Sequence, residues 1–359
     1  MPKGTPTNIN ILGEEEKKMK AVVFEKPGKL LVKDVPKPEV KPGHVIVKVM
    51  ACGVCGTDLH IYKGKFLGGF PLIPGHEFCG VVDEVGEKVE GISRGERVTV
   101  DNPFYCGECY YCKRNLEHYC ENFKSLGVTH PGGFAQYVIV QSSQILKISD
   151  NLSFESAAFA EPTACVVHAV DSLGMKAGEE VLLFGSGPAG LTLLQVLRHA
   201  GAARVVVAAP TEKKLQLARK FGATTVQIDR QHPERYIEEI KEIAPYGFDL
   251  VIDATGVPKV VEGLFQWTKF GAKVLFFGVC PSDARITINP YDIYRREIKV
   301  IGTFAQLYNF PQALSLLENK VIDVQSLISQ RMTLEEFPKA MELMLTSHER
   351  LKIIIKPNG

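Results

Sequence analysis

Four of the chain's nine cysteines stand within fifteen residues, as Cys106-Gly107-Glu108-Cys109-Tyr110-Tyr111-Cys112 followed by Cys120. That spacing constrains the fold more than any other feature. Four thiolates on one short lobe form the closed tetrahedral shell that zinc prefers, and they leave no position for a substrate. The lobe has little core of its own, so ion binding there becomes folding energy and the expected role is structural. Nine cysteines are an awkward odd set for a disulfide framework, which favours metal or catalytic use.

A chain of 359 residues is about two domains' worth, so a cleft between two lobes is available. Lys plus Arg (42) nearly balance Asp plus Glu (41), which argues against a basic nucleic-acid groove and gives no push toward a charged membrane surface. Small neutral ligands and locally held phosphates remain. No apolar run approaches the roughly 18 residues that span a bilayer, and the opening residues lack a signal-peptide core. The expected location is the cytoplasm.

Residues 1–18, with Pro2, Gly4, Pro6 and a charge cluster, have nothing to bury and predict a loose extension. From Met19 the pattern changes to short β-rich runs between Pro and Gly turns: Ala21–Phe24, Val45–Val49, Gly80–Val82 and Arg97–Val100. This predicts an irregular β domain. Beyond about Val166, apolar strands (Val181–Phe184, Arg204–Ala209, Asp249–Ala254, Lys273–Val279) alternate with helical stretches such as Leu191–Ala200 and Lys213–Phe221. Such alternation predicts an α/β unit with a parallel sheet covered on both faces. From about Phe304 further helices follow, with a terminal strand at Lys352–Lys356.

Gly185-Ser186-Gly187-Pro188-Ala189-Gly190 sits between the first of those strands and the helix through Leu191, the setting that a dinucleotide-binding turn needs. Gly185 permits the tight turn, Gly187 lets backbone approach a pyrophosphate, and Gly190 lets helix pack on strand. The helix N-terminus, with Pro188 and Ala189, offers free amides to phosphate. An acidic residue at the end of the second strand normally takes the adenosine 2'-hydroxyl, but Ala209 stands there. Thr211, Lys213 and Lys214 follow and can supply a hydroxyl and positive charge, so NADP is favoured over NAD. The lysines equally suit a solvated helix face. Gly278 and Val279, closing the last apolar strand, join the expected cofactor-binding set.

A second metal constellation is assembled over distance from Cys55, His76-Glu77 and Glu161-Pro162. Thiolate, imidazole and carboxylate suit a catalytic zinc that keeps one position open. Taken singly, each has a bland reading: the His-Glu pair as core satisfaction, Glu161-Pro162 as the end of a helix. Cys52 and Cys55 also spell a Cys-x-x-Cys redox site, which explains neither the four-cysteine lobe nor the glycine turn. Cys52, Cys79, Cys165 and Cys280 are assigned to packing.

In order, Gly53-Val54-Cys55-Gly56-Thr57-Asp58, Pro74-Gly75-His76-Glu77, the four-cysteine lobe and Gly185 to Gly190 resemble the zinc-containing medium-chain dehydrogenase family, and the likeness runs from about Met19 to Lys356. Glu161-Pro162 is similar to the polyol and sorbitol dehydrogenase branch, where simple alcohol dehydrogenases commonly place a cysteine ligand. Val205-Val206-Val207-Ala208-Ala209-Pro210 with Tyr246-Gly247-Phe248-Asp249 most resembles NADP-using fungal D-arabinitol dehydrogenases. The chain departs from sorbitol dehydrogenases at Ala305, where they carry an arginine that helps hold the substrate chain.

The resemblance implies that residues 19–165 with 305–359 form a GroES-like catalytic domain and 166–304 a Rossmann domain with a doubly wound sheet. It implies one catalytic and one structural zinc, a nicotinamide dinucleotide, and a polyol such as arabinitol, xylitol or sorbitol converted to its ketose. A dimer or tetramer is implied too, without a nucleic-acid or membrane partner. In the family pattern Cys55 and His76 hold the catalytic zinc, with Glu161 as third ligand directly or through water. Glu77 exchanges with a ligand or balances charge behind them. Thr57 accepts the substrate proton and His60 passes it through the cofactor ribose to solvent. The bland readings are a turn-capping hydroxyl for Thr57 and a helix-face imidazole for His60. The stretch Cys55 to Tyr62 also resembles L-threonine 3-dehydrogenases, and a zinc-stabilised nucleotide sensor without hydride transfer is the alternative from another class.

Overall fold

A computed structural model describes residues 17–359 of the chain. The extension expected over residues 1–18 lies outside the described residues except for Lys17 and Lys18, and Lys18 already opens the first strand.

Strand β1 (Lys18–Lys26) folds back on β2 (Lys29–Pro36) through a turn in which Gly28 takes a φ of +75°. β3 (His44–Val54) feeds directly into the short helix α1 (Gly56–Tyr62), and β4 (Glu77–Val85) returns antiparallel to β3 with Glu77 opposite Gly53. β5 (Arg97–Val100) extends this sheet, while the paired β6 (Pro103–Phe104) and β7 (Lys124–Ser125) bracket the four-cysteine lobe. β8 (Tyr137–Gln141) and β9 (Ile145–Lys147) precede α2 (Phe154–Ala157) and α3 (Ala160–Leu173). Pro162 sits in the first turn of α3, where no intrahelical N–H is missed, so Glu161-Pro162 opens a helix rather than ending one. α3 continues unbroken through residues 165 and 166, where the sequence changes texture.

Next come β10 (Glu180–Phe184), α4 (Pro188–His199), β11 (Arg204–Ala209), α5 (Glu212–Lys220), β12 (Thr224–Gln227), α6 (Pro233–Ile243), β13 (Phe248–Asp253), α7 (Pro258–Glu262), β14 (Thr268–Phe276), α8 (Pro290–Arg296) and β15 (Lys299–Gly302). Their strands form one parallel sheet in the order β12-β11-β10-β13-β14-β15. Successive residues serve opposite faces: Val181, Leu183, Val205 and Val207 pack with Leu191 and Leu194 of α4, whereas Leu182, Val206 and Val251 pack with Ile240 and Trp267. Because both faces are covered, the strands read as unbroken apolar runs. The order reverses at β10, which opens a crevice at the carboxyl ends of β10 and β13. β14 stops at Phe276, short of the expected Val279, because the amides of Phe277 and Gly278 both donate to the carbonyl of Asp253, at 3.0 and 2.9 Å.

The chain then adds α9 (Phe310–Glu318), β16 (Ile328–Met332), α10 (Phe337–Thr346) and β17 (Lys352–Ile355). β17 inserts between β16 and β3, giving the order β16-β17-β3-β4-β5-β9 with β8 also paired to β3. The last strand thus returns to the first sheet, over a core that includes Phe24, Phe78, Phe134 and Phe337. The whole is a GroES-like irregular β unit joined to a Rossmann-like α/β unit. Among the described residues, no helix is long and apolar enough to cross a membrane.

Candidate active site

The sulfurs of Cys106, Cys109, Cys112 and Cys120 converge as the spacing predicts. Cys106–Cys112, Cys109–Cys112, Cys109–Cys120 and Cys106–Cys120 are separated by 3.9, 3.5, 4.0 and 3.6 Å. A tetrahedron of zinc–sulfur bonds of about 2.3 Å has edges of about 3.8 Å, so the cage already has the size of its ion. Backbone amides of Cys106 and Cys109 point at Sγ of Cys120 and Cys106, each at 3.4 Å. The amides of Glu108 and Cys109 lower the Cys106 thiol to about 6, while burial pushes Cys112 up to about 12. Four sulfurs this close are all thiolates only around a cation, and the donor set fits structural zinc.

The second group forms where β3 meets α1. The pairing of Gly53 with Glu77 brings Cys55, at the head of α1, beside His76 and Glu77, and their ligand atoms all lie within 4.8 Å of one another. Asp58, fully buried, accepts the Cys55 amide at 2.8 Å through Oδ2, while its Oδ1 faces Nδ1 of His76 at 3.5 Å. Neither Oδ1 nor Nδ1 has another partner among the described residues. With Nδ1 turned to a carboxylate, Nε2 is left for an ion, the usual second-sphere arrangement of a metal-bound histidine. Burial alone would lower His76, yet the charge and hydrogen bond of Asp58, with Cys55 beside it, carry it well above its usual range. Buried Asp58 and Glu77, with half-buried Glu161 alongside, outnumber the buried Lys352 ammonium, so a cation suits the seat.

Glu161 lies alongside, in the first turn of α3, outside the 4.8 Å group. Burial raises its carboxyl, and it feels the charges of His76, Glu77 and Lys352. Cys165, one turn further on, donates to Glu161 at 3.5 Å, so this cysteine borders the site besides packing. Cys52 is instead fully buried in the β core, and Cys79 donates to the Phe154 carbonyl at 2.9 Å. Cys52 stands outside the metal group, and both Cys52 and Cys55 are free, the Cys52 sulfur turning to the Gly53 carbonyl. Thr57 is half-buried in the first turn of α1, where Asp58 supplies the cap in its stead. His60 stands in the last turn; burial, then Lys63 and Lys65, hold its pKa below the ordinary value.

The glycine turn has a separate reason at each position. Gly185 takes a φ of +111°, and a Cβ on Gly190 would lie 2.2 Å from the Gly185 carbonyl, so helix and turn are in contact. A Cβ on Gly187 would meet nothing within 4 Å, which leaves open space over its backbone for a phosphate. Pro188 and Ala189 open α4 behind it. Across the crevice a Cβ on Gly278 would meet the Gly256 amide at 2.2 Å, and Val279 is exposed. Ala209 ends β11 buried, Thr211 holds the N-cap position of α5 without a side-chain capping bond, and Lys214 is half-buried in the first turn. Nearby, Phe184, Ile228, Arg230, Val257 and Lys259 line a cavity of about 630 Å³.

Three partners escaped sequence reasoning. Lys352, 275 residues from Glu77, places Nζ 2.5 and 2.7 Å from its carboxylate oxygens. Gly53 makes room for that pair, since a Cβ there would sit 2.1 Å from Oε2 of Glu77. Gln306, just after the left-handed Ala305 (φ +54°), donates to Asp101 at 2.7 Å. Burial, then the charge of Glu161, raises Asp101 to about 7. A lone lysine opening the strand Lys352-Ile353-Ile354-Ile355 was the only available hint.

Residues 41–150 match the alcohol dehydrogenase GroES-like domain family, and residues 188–319 match the zinc-binding dehydrogenase family. The chain is 39% identical to D-arabinitol dehydrogenase 1 of Uromyces fabae, over 95% of this chain and 97% of that protein. It is 37% identical to D-altritol 5-dehydrogenase of Agrobacterium fabrum, over 89% of this chain and 94% of that one. A zinc-binding dehydrogenase of Sinorhizobium meliloti 1021, solved with NADP bound, superimposes with a TM-score of 0.90 at 35% identity, covering 95% of this chain and all of the other. With this much of its length shared, and with both sulfur-bearing seats assembled, the chain belongs to the zinc-dependent medium-chain alcohol dehydrogenases.

Proposed function

We propose that this enzyme interconverts a polyol and its ketose at a secondary alcohol, using NADP in preference to NAD. The observation that carries the reading is the close grouping of Cys55, His76 and Glu77, with Glu161 alongside, in a chain whose relatives act on D-arabinitol and D-altritol. When bound, zinc supplies a Lewis acid for the substrate oxygen and the nicotinamide supplies the hydride acceptor. Cys55 and His76 would hold the ion, with Asp58 fixing the ring of His76 and Lys352 bonded to the Glu77 carboxylate. Glu161 would serve as the third ligand, directly or through water, with Glu77 available to exchange. Thr57 accepts the proton leaving the alcohol. His60, held neutral near pH 7 by its surroundings, is in the form that passes a proton on.

Gly185, Gly187, Pro188, Ala189 and Gly190 hold the phosphates, with Gly278 and Val279 across the crevice. Thr211 and Lys214 receive a 2'-phosphate that Ala209, unlike a carboxylate, does not repel. Residues 19–165 with 305–359 act as the catalytic domain and 166–304 as the nucleotide domain. We assign the enzyme to the cytoplasm, where its nine cysteines, all free in the structure, stay reduced. A homo-oligomer is supported by β15, the edge strand of the parallel sheet with Val300 exposed, and by the exposed Tyr291 and Tyr294 of α8.

The test is a panel of pentitols, hexitols and L-threonine, assayed with NADP and NAD after zinc determination. Turnover of a polyol with NADP is expected. Turnover confined to threonine would replace the polyol reading with the threonine one, and nucleotide binding without any turnover would favour the sensor.

A further inference from the structure

Lys352 opens β17 with only 5% of its surface exposed. The pairing of Ile353 with Val54 and of Ile354 with Gly53 sets its register and brings its ammonium against the elements that carry the candidate ligands. Lysine has three N–H donors, and here each has a protein partner. Two reach Oε2 and Oε1 of Glu77, at 2.5 and 2.7 Å, and the third faces the Val54 carbonyl, at 3.4 Å. Val54 immediately precedes Cys55, and Glu77 follows His76. Nζ also lies 5.8 Å from the ring centre of Phe159, two residues before Glu161. Beyond Glu77, the ammonium feels the charges of Cys55 and Glu161. One fixed cation is therefore anchored beside all three ligand-bearing stretches. Gly53 makes the arrangement possible, because a Cβ there would displace Oε2 of Glu77.

We infer that Lys352 is a positioning residue for the reaction: acting through Glu77, it keeps that carboxylate from neutralising the ion and so leaves the ion electrophilic, an inference that rests on the metal reading above. Glu77 belongs to the tight group with Cys55 and His76, so without a partner its carboxylate would be drawn to a dication and offset its charge. An ammonium bonded to both of its oxygens competes for them. That competition is strong in a place almost closed to water. The same ammonium repels a neighbouring dication directly. Both effects weaken zinc binding, and both leave more of the ion's charge to act on the substrate. The signature is a lysine whose loss tightens metal binding while slowing turnover, whereas a lysine that only supports the fold would weaken both when lost.

The test compares zinc-loaded wild type, K352M, K352R and E77Q by graded chelator competition with metal analysis, the release step missing from C55S being assigned to this seat. kcat is measured in parallel with whichever substrate of the panel turns over. K352M is expected to hold this zinc roughly tenfold more tightly and to lower kcat roughly tenfold. E77Q leaves the ion beside an ammonium with no carboxylate charge between them, and is expected to hold zinc roughly tenfold more weakly. K352R keeps the charge and is expected to stay within about threefold of wild type in zinc affinity. K352M holding zinc no more tightly than wild type, or turning over as fast, overturns the inference. K352R matching K352M in zinc affinity overturns it too, since charge would then not be what matters. If K352M does not fold, E77Q holding zinc as tightly as wild type overturns it instead. A wild type with no zinc at the Cys55 seat overturns the metal reading itself and this inference with it.

Discussion

Lys352 holds Glu77 with both carboxylate oxygens, Nζ to Oε2 at 2.5 Å and to Oε1 at 2.7 Å, in a place almost closed to water. Its excess proton charge is unfavourable to bury, and burial lowers Lys352 before Glu77, the larger of the charges around it, raises it again. Breaking one side of such a pair leaves an unmatched charge at a cost of about 3–5 kcal/mol. K352M and E77Q are each expected to lose stability of that order, and the double variant far less than the sum. Denaturant unfolding of all four proteins at one zinc concentration measures this, and additive losses would show that the two side chains do not act together.

The relay proposed through Thr57 and His60 predicts a directional pH signature. His60 is held below its ordinary pKa, so it stays neutral to lower pH than a free histidine and charges only as the solution becomes more acidic. Alcohol oxidation is expected to fall on that acidic limb, and H60N to remove the limb. T57V is expected to lower kcat by roughly 100-fold or more, the lower range for a positioned proton acceptor, while leaving nucleotide affinity intact. An unchanged pH profile in T57V would end the relay assignment.

The proposed preference for NADP turns on the small side chain that ends β11. In A209D a carboxylate would stand at the proposed 2'-phosphate position, and NADP binding is expected to weaken roughly tenfold to 100-fold while NAD binding improves. K214Q is expected to weaken NADP more than NAD. Titration of each variant with both nucleotides decides it; equal losses for the two would place the 2'-phosphate elsewhere.

The four-sulfur cage predicts a separable zinc. C109S is expected to carry one zinc per chain in place of the two implied by the two ligand groups, and to unfold at lower temperature. Metal analysis with a thermal melt checks both. A C109S protein that keeps both ions and its melting temperature would mean that this lobe folds without metal.

Local chemistry was readable before the fold. Cys55, His76 and the glycine turn each sit in a short stretch whose strand, turn and helix are set by neighbouring residues, and the four-cysteine lobe carries its own geometry. What could not be read depends on register over long distances. Glu161 and Glu77 look equally eligible in sequence, but the pairing of β3 with β4 sets Glu77 opposite Gly53 and so within the tight group, leaving Glu161 beside it. Lys352 acquires meaning only because β17 slots between β16 and β3, and Gln306 meets Asp101 from 205 residues away. The end of β14 was misjudged for a similar reason, as the carbonyl that turns its chain aside belongs to Asp253 on the neighbouring strand.

α3 is a single helix of 14 residues with Glu161 near one end, and its far end leads into the first strand of the nucleotide sheet. At Ala305 and Tyr308 the chain instead takes left-handed backbone, so α3 is the continuous helical link between the carboxylate beside His76 and β10. The metal seat and the nucleotide sheet thus share one rod whose hydrogen-bonded turns fix their spacing.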